Sequence, residues 1–159
     1  MSTSTSAPAR EAAATHEVQR QGRRDRFTRM WRSGSIRSHT GPVHVSMNDY
    51  LVEGPRDTLR VALAGTRFWL GWPRAEGALG CWFAGARVGQ RSVSVSVWRH
   101  PDDLRRFVRS PAHLKVMREF RDTGELFTNA WSAERLDRAL IWRQAEDRLM
   151  GRVDGVPHH

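Results

Sequence analysis

Within the segment Arg91–Trp98, RSVSVSVW, serine and valine alternate without a break from Ser92 to Val97, and this pattern restricts the folds that the chain can adopt. A period of two residues matches the β-strand, in which successive side chains point to opposite faces of a sheet. The three valines therefore share one face, and the other face carries Ser92, Ser94, Ser96 and Trp98. The chain must build a sheet with one strongly apolar face and one small, polar face.

The rest of the chain supplies the other strands and the helices that connect them. Three further β-compatible segments are HVSMNDYLV at 44–52, ALGCWFAGA at 78–86 and ELFTNAW at 125–131. Prolines and a capping serine mark the starts of helices, at Pro55, Pro101, Pro111 and Ser132. This order predicts an α+β domain of the ferredoxin-like type, β-α-β-β-α-β, whose antiparallel sheet carries its helices on one face.

Composition divides the chain into three parts: an N-terminal tail at 1–43, a domain at 44–150 and a flexible C-terminal tail at 151–159. The first tail is rich in Ser, Thr, Ala and Arg, and it should be disordered or partly helical because it has little apolar surface to bury. Within it, Phe27, Met30 and Trp31 have the i, i+3, i+4 spacing of a helix stripe. We expect a short helix over 21–33 that docks on the domain or on a partner chain.

The valine face of the sheet would lie uncovered if every helix packed on the other face. A second copy of the chain is the simplest cover, so the pattern predicts a homodimer whose two sheets close into a barrel. Each subunit would keep a cleft between its own sheet and helices, where a ligand could bind.

The formal net charge of +9 raises nucleic acid as a partner, but the distribution of the charge argues against it. Residues 1–43 hold eight arginines against three acidic residues, and the signs are well mixed in the remainder. No apolar run is long enough to cross a membrane, and Cys81, the only cysteine, can form no internal disulfide. We therefore expect a cytoplasmic protein that has no membrane span and does not bind nucleic acid.

Three segments of the domain resemble the dimeric α+β-barrel enzymes: LGWPRAEGALG, SVSVWRHPDDLRRFVRSPAHLKVMREF and GELFTNAWS. The resemblance covers residues 44–149 and is greatest to proteins related to spheroidene monooxygenase, and more distant to the antibiotic biosynthesis monooxygenases. It is carried by a Trp that closes the third strand, a Phe-x-x-Ser-x-x-His run and an aromatic-rich fourth strand. The resemblance implies a monooxygenase-like enzyme of secondary metabolism that acts on a hydrophobic small molecule, with haem in some relatives and no cofactor in others.

His113 is the first candidate for chemistry. It falls at the third position of a predicted helix, where the helix dipole disfavours the imidazolium and favours the neutral ring. A neutral imidazole can accept a proton from a substrate, or ligate the iron if haem is bound. The other interpretation is that His113 packs against the sheet or forms a hydrogen bond to the Ser110 loop.

The polar face of the sheet is the second candidate. If alternation holds in every strand, this face carries His44, Ser46, Asn48, Tyr50, Ser94, Ser96, Trp98, Asn129 and Trp131. Asn48, Tyr50 and Asn129 would donate hydrogen bonds to a developing oxyanion. The serines, His44 and the two tryptophans would contact the substrate. The alternative is that these residues are exposed at the sheet's ends, or that one bulge inverts the assignment of faces.

Three classes of function remain open for such a cleft: an oxidative enzyme, a cofactor-free cyclase or dehydratase, and a non-catalytic binding or interaction protein. The sequence has no G-x-S-x-G, Walker, G-x-G-x-x-G or H-E-x-x-H motif. Hydrolase, nucleotide-binding and zinc-protease functions therefore have no support.

Overall fold

A computed structural model describes residues 28–85 and 90–153. The strands are β1 (Thr28–Ser33), β2 (Val43–Val52), β3 (Ala78–Gly85), β4 (Arg91–Trp98) and β5 (Gly124–Ala133). The helices are α1 (Pro55–Gly71), α2 (Pro101–Val108), α3 (Pro111–Glu119) and α4 (Arg138–Val153), with a 3-10 turn at Trp72–Arg74. None of these helices is long and apolar enough to cross a membrane.

The five strands form one sheet in the order β1-β3-β4-β2-β5, with every neighbouring pair antiparallel. Without β1, this is the sheet of a ferredoxin-like domain, whose central strands β2 and β4 are connected through α1 and β3. The predicted fold class is confirmed, and β4 spans the residues of the period-two segment. Its three valines, Val93, Val95 and Val97, are fully buried on one face, which we call the valine face. The opposite side is the serine face.

A helix of the chain itself covers the valine face. α4 places its buried stripe of Ile141, Trp142, Ala145 and Leu149 in the same core cluster as the valines of β2 and β4. Only α1, α2 and α3 lie on the serine face, so the prediction that all helices share one face is wrong. The uncovered surface from which a homodimer was inferred is therefore occupied, and the homodimer stays a prediction without that argument.

The last helix begins later than its predicted cap. Ser132 still belongs to β5, which continues until Ala133 pairs with Val43. Asp137 caps α4 instead, because its Oδ1 accepts a hydrogen bond of 3.0 Å from the backbone N–H of Leu140. A serine after an aromatic strand resembled a helix start, but pairing with β2 extended the strand past it.

The segment predicted as a helix over 21–33 is a strand wherever the structure describes it. β1 pairs with β3 and places Trp31 opposite Trp82, with ring centroids 4.3 Å apart. Met30 is exposed, and Phe27 lies outside the described residues. Three apolar positions are too few to distinguish a period of 3.6 from a period of two. Pairing with β3 also provides hydrogen-bond partners for backbone N–H and C=O groups that would remain unpaired at the ends of a short helix.

The indole ring of Trp31 in β1 packs directly against Gly80 of β3. A Cβ atom there would overlap the indole of Trp31, so Gly80→Ala should displace the ring and lower the free energy of unfolding by about 1–3 kcal/mol. Thermal unfolding followed by circular dichroism measures the loss. Gly85→Ala is the control, since it lies in the same strand and has no described atom within 4 Å of its Cβ position. Equal losses in both variants would show that displacement of Trp31 is not the cause.

Candidate functional site

A cavity of about 1000 Å³ lies between the serine face and the helices α1, α2 and α3. Its floor is the sheet, where Asn48 of β2 stands between Ser94 of β4 and Thr128 of β5. The neighbouring rows pair Ser46 with Ser96 and Tyr50 with Ser92. The cleft predicted between sheet and helices is therefore present, with a volume that suits a small organic molecule.

The helices give the cavity an apolar roof. α1 contributes residues spaced i, i+3, i+4 and i+7: Val61, Ala64, Gly65 and Phe68. α2 and α3 add larger side chains, among them Leu104, Phe107, Leu114 and Met117. A polar floor beneath an apolar roof would orient a flat ligand that carries oxygen atoms along one edge.

His113 lines this cavity from the third position of α3, where the sequence placed it. The N-cap Ser110 accepts a hydrogen bond of 3.3 Å from the backbone N–H of His113. The ring Nδ1 lies 3.1 Å from the carbonyl oxygen of Val108. Because a carbonyl can only accept, Nδ1 carries the proton, and Nε2 keeps a lone pair.

The surroundings of His113 keep its ring neutral. Burial lowers the pKa of His113 below its ordinary value of 6.5, and this outweighs the hydrogen bond to Val108, which acts in the opposite direction. Two aromatic rings border the imidazole, with centroids 5.2 Å away at Phe107 and 6.0 Å away at Phe68. The result is a desolvated neutral imidazole that can accept a proton or ligate iron.

Asn48 and Tyr50 both line the cavity, but only Asn48 has a hydrogen-bond donor that is available to a ligand. Asn48 Nδ2 donates to Ser94 Oγ at 3.3 Å, which leaves its second N–H for a ligand. The Tyr50 hydroxyl donates to the carbonyl of Phe120 at 2.6 Å and lies 2.7 Å from Thr123 Oγ1. Its single proton is already used, so the prediction of Tyr50 as an oxyanion donor is wrong. Tyr50 instead fastens the turn after α3 to the sheet.

Ser94 and Ser96 both line the floor as predicted, but only Ser94 has a hydroxyl proton that is available to a ligand. Ser96 Oγ donates to the carbonyl of Ser46 at 3.2 Å and accepts from Trp98 Nε1 at 2.9 Å, which uses its proton. Ser94 Oγ accepts from Asn48 and keeps its proton for a ligand. Asn48 and Ser94 therefore form one hydrogen-bond donor pair on the floor.

Trp98 and His44 share the serine face but do not line the cavity, so their assignment as substrate contacts is wrong. Trp98 is fully buried, and its ring packs edge-on against Trp72 with centroids 5.2 Å apart. His44 pairs with Trp98 one row beyond the cavity floor. Burial, followed by the charges of Arg105 and His100, lowers the pKa of His44.

The faces of β5 are the reverse of those predicted. Asn129 pairs with Met47 and Trp131 with Val45, which places both on the valine face. Trp131 Nε1 donates to Gln144 Oε1 of α4 at 2.8 Å, and Trp131 is not among the residues that line the cavity. Asn129 is nevertheless among the residues that line the cavity, and the residue that pairs with Asn48 is Thr128.

Three arginines that the sequence analysis did not select also line the cavity: Arg105, Arg118 and Arg121. Arg105 forms an ion pair with Asp102, whereas no ion pair joins Arg118 or Arg121 to an acid in the described part of the chain. Arg121 follows the end of α3, so helix periodicity could not have placed it. Arg118 lies in the last turn of α3, where a cation is common because it interacts favourably with the helix dipole, so the sequence offers no reason to select it.

Other reactive groups offer little chemistry. Burial raises the pKa of the Cys81 thiol to about 12, which removes it as a nucleophile at neutral pH. Within residues 28–85 and 90–153, no three His, Cys, Asp or Glu side chains are grouped to hold a metal ion. His113 therefore remains the candidate group for proton transfer.

The sequence matches no known family profile and no curated protein sequence. Solved structures do resemble it. A variant of SnoaB, a cofactor-independent oxygenase from Streptomyces nogalater, is 18% identical with a TM-score of 0.51, over 60% of this chain and 97% of that chain. A protein from Nitrosomonas europaea, provisionally named an antibiotic biosynthesis monooxygenase, is 13% identical with a TM-score of 0.53, over 64% and 97%.

A third structure, provisionally named a monooxygenase and from Fusobacterium nucleatum, is 12% identical with a TM-score of 0.52 over 68% of this chain. The chain spans about half of that protein, 48% of its length. At these identities the comparisons establish a shared fold, the ferredoxin-like α+β fold of antibiotic biosynthesis monooxygenase-like proteins. They do not carry residue roles across, so the site must be argued from its own geometry.

Proposed function

We propose that this protein is an oxygenase that holds a hydrophobic aromatic or polyene molecule in the cavity and uses His113 as its base. The observation that carries the proposal is the neutral, half-buried imidazole in the wall of a large cavity with an apolar roof and a polar floor. The fold shared with SnoaB, named a cofactor-independent oxygenase, supports this class of reaction.

The proposed reaction needs no reductant other than the substrate. His113 Nε2 removes a proton from an acidic CH2 group, and the electron pair stays on the substrate. The carbanion forms a C–O bond to O2, and the resulting peroxide takes up a proton. Loss of water then leaves a ketone, so CH2 and O2 give C=O and H2O, with four electrons passing from carbon to oxygen. Asn48 and Ser94 would donate hydrogen bonds to the substrate oxygen on which the negative charge develops.

Haem is the other source of oxidising power that the family resemblance leaves open, and the cavity holds groups that fit it. His113 Nε2 would ligate the iron, and Arg118 and Arg121 would bind the propionates. A bound haem would supply oxygen activation at iron. The absorption spectrum of protein from cells given a haem precursor distinguishes the haem enzyme from the cofactor-free enzyme. A Soret band that is lost in His113→Ala identifies haem. A colourless protein that takes up no haemin is cofactor-free.

The experiment for the reaction class is oxygen-dependent turnover of anthrone and dithranol, flat apolar ketones with an acidic CH2 group. We expect enzyme-dependent oxygen uptake at an electrode, with one quinone formed for each O2 consumed and none under argon. Conversion that continues under argon would reject the oxygenase and favour a cyclase or dehydratase. Oxygen uptake no faster than in buffer, for both compounds and for an anthrone that carries a carboxylate, would also reject it.

A further inference from the structure

The described residues in the wall of the cavity carry positive charge and no negative charge. The described residues that line it include three arginines and one histidine but neither Asp nor Glu, although the chain holds 17 acidic residues. Asp102 neutralises Arg105. Arg118 and Arg121 are exposed, and neither forms an ion pair with an acid in the part of the chain that the structure describes.

The two unneutralised arginines mark one end of the cavity. The turn after α3 lies against the floor there, because the Tyr50 hydroxyl donates to the carbonyl of Phe120. His113 precedes Arg118 by five residues in α3, which is about 7.5 Å along the helix axis. Leu114 and Met117 line the wall between them. The cavity thus has a proton acceptor and a cationic end, separated by apolar surface.

The helix dipole alone does not account for this arrangement. The negative end of α3 favours a cation in its last turn, which explains Arg118. It explains neither Arg121, which follows the helix, nor the exclusion of every carboxylate from the described wall. Guanidinium groups beside an apolar cavity gain most from an anion that accepts their N–H groups.

We propose that the ligand of this cavity is an amphipathic anion, with a flat apolar body beneath α1, α2 and α3 and a carboxylate bound by Arg118 and Arg121. The inference rests on the proposed function in taking the cavity as the substrate site, and it names the class of substrate. A carboxylate accepts two parallel N–H groups from one guanidinium, so the arginine pair would fix which end of the molecule approaches His113.

The test compares two fluorescent probes that share one ring system. 1-Anilinonaphthalene-8-sulfonate carries an anion, and N-phenyl-1-naphthylamine is the same molecule without it. In Arg118→Gln/Arg121→Gln we expect the dissociation constant of the anionic probe to rise about tenfold or more, because charge-assisted hydrogen bonds are lost. The dissociation constant of the neutral probe should change less than about twofold, which also reports that the variant is folded.

Two control variants make the result specific. Arg67→Gln/Arg109→Gln removes the same charge from exposed positions outside the cavity, and it should leave both dissociation constants unchanged. Ala64→Trp fills the roof and should abolish binding of both probes. Anionic binding that survives Ala64→Trp, or that weakens equally in the two arginine double variants, overturns the proposal. If turnover fails both for anthrone and for an anthrone that carries a carboxylate, while the anionic probe still needs Arg118 and Arg121, the oxygenase is wrong and the anion site stands.

Discussion

Replacing His113 by glutamine should lower the turnover of anthrone by about 10²- to 10⁴-fold, the range that a positioned general base contributes. Glutamine has similar volume and can still donate to the carbonyl of Val108, but it has no basic nitrogen at the position of Nε2. The KM should change little because the apolar roof is untouched. Initial rates of oxygen uptake at saturating substrate measure the loss.

His39→Gln is the matched control for this variant. The ring Nε2 of His39 lies 2.9 Å from the carbonyl of Pro42 in a loop outside the cavity, so the same substitution there should leave turnover unchanged. Circular dichroism of both variants shows whether the fold is kept. A folded His113→Gln protein with full turnover would remove His113 from the mechanism.

The same base sets the pH dependence of turnover. Only the neutral ring accepts a proton, and burial lowers the pKa of His113. Activity should therefore be complete above the ordinary histidine pKa of 6.5 and decline only as the pH falls through the lowered value. A profile of kcat/KM with its midpoint at or above 6.5 would contradict the assignment of His113 as the base.

The parts of the site that the sequence predicts correctly depend on local signals. The phase of β4 is clear because one of its faces is uniformly β-branched, and Ser110 followed by Pro111 fixes the start of α3 and hence the position of His113. Asn48 and Ser94 follow from the same alternation, and the two strands pair so that these residues are neighbours.

The phase of β5 could not be obtained in this way. It is an edge strand with large side chains on both faces, and Leu126 and Phe127 are 40% and 41% exposed. Its register with β2, a contact between distant parts of the chain, decides which side chains face the cavity. Asn129 and Trp131 were therefore assigned to the wrong face, and Thr128 was missed.

Trp98 and α4 illustrate the role of tertiary packing. The alternation of β4 assigns Trp98 to the serine face correctly, but the 3-10 turn places Trp72 over it and removes it from the cavity. The apolar stripe of α4 shows that the helix must be buried, not which face of the sheet it covers. In both cases the deciding partner lies far away in the sequence.

The largest loss of stability is expected at Asp49, a carboxylate on the valine face of β2. Its side chain is 1% exposed, and its two oxygens each lie 2.7 Å from a guanidinium nitrogen of Arg91. Without Asp49 the cation of Arg91, which is itself only 15% exposed, would lose the carboxylate that accepts two of its hydrogen bonds. Asp49→Ala should therefore lower the free energy of unfolding by about 3–5 kcal/mol, measured by urea denaturation.

Two further variants separate the charge from the space that Asp49 fills. Glu76→Ala removes a carboxylate that is 75% exposed and paired with Arg106, and the urea midpoint should not shift measurably because water already screens that pair. Asp49→Leu/Arg91→Met removes both buried charges, and it should recover most of the stability that Asp49→Ala loses, because an apolar pair fills the same volume without desolvating an ion. If the double variant is as unstable as Asp49→Ala, the loss of the carboxylate beside Arg91 is not the cause, and the contribution of Asp49 lies in its packing within the sheet.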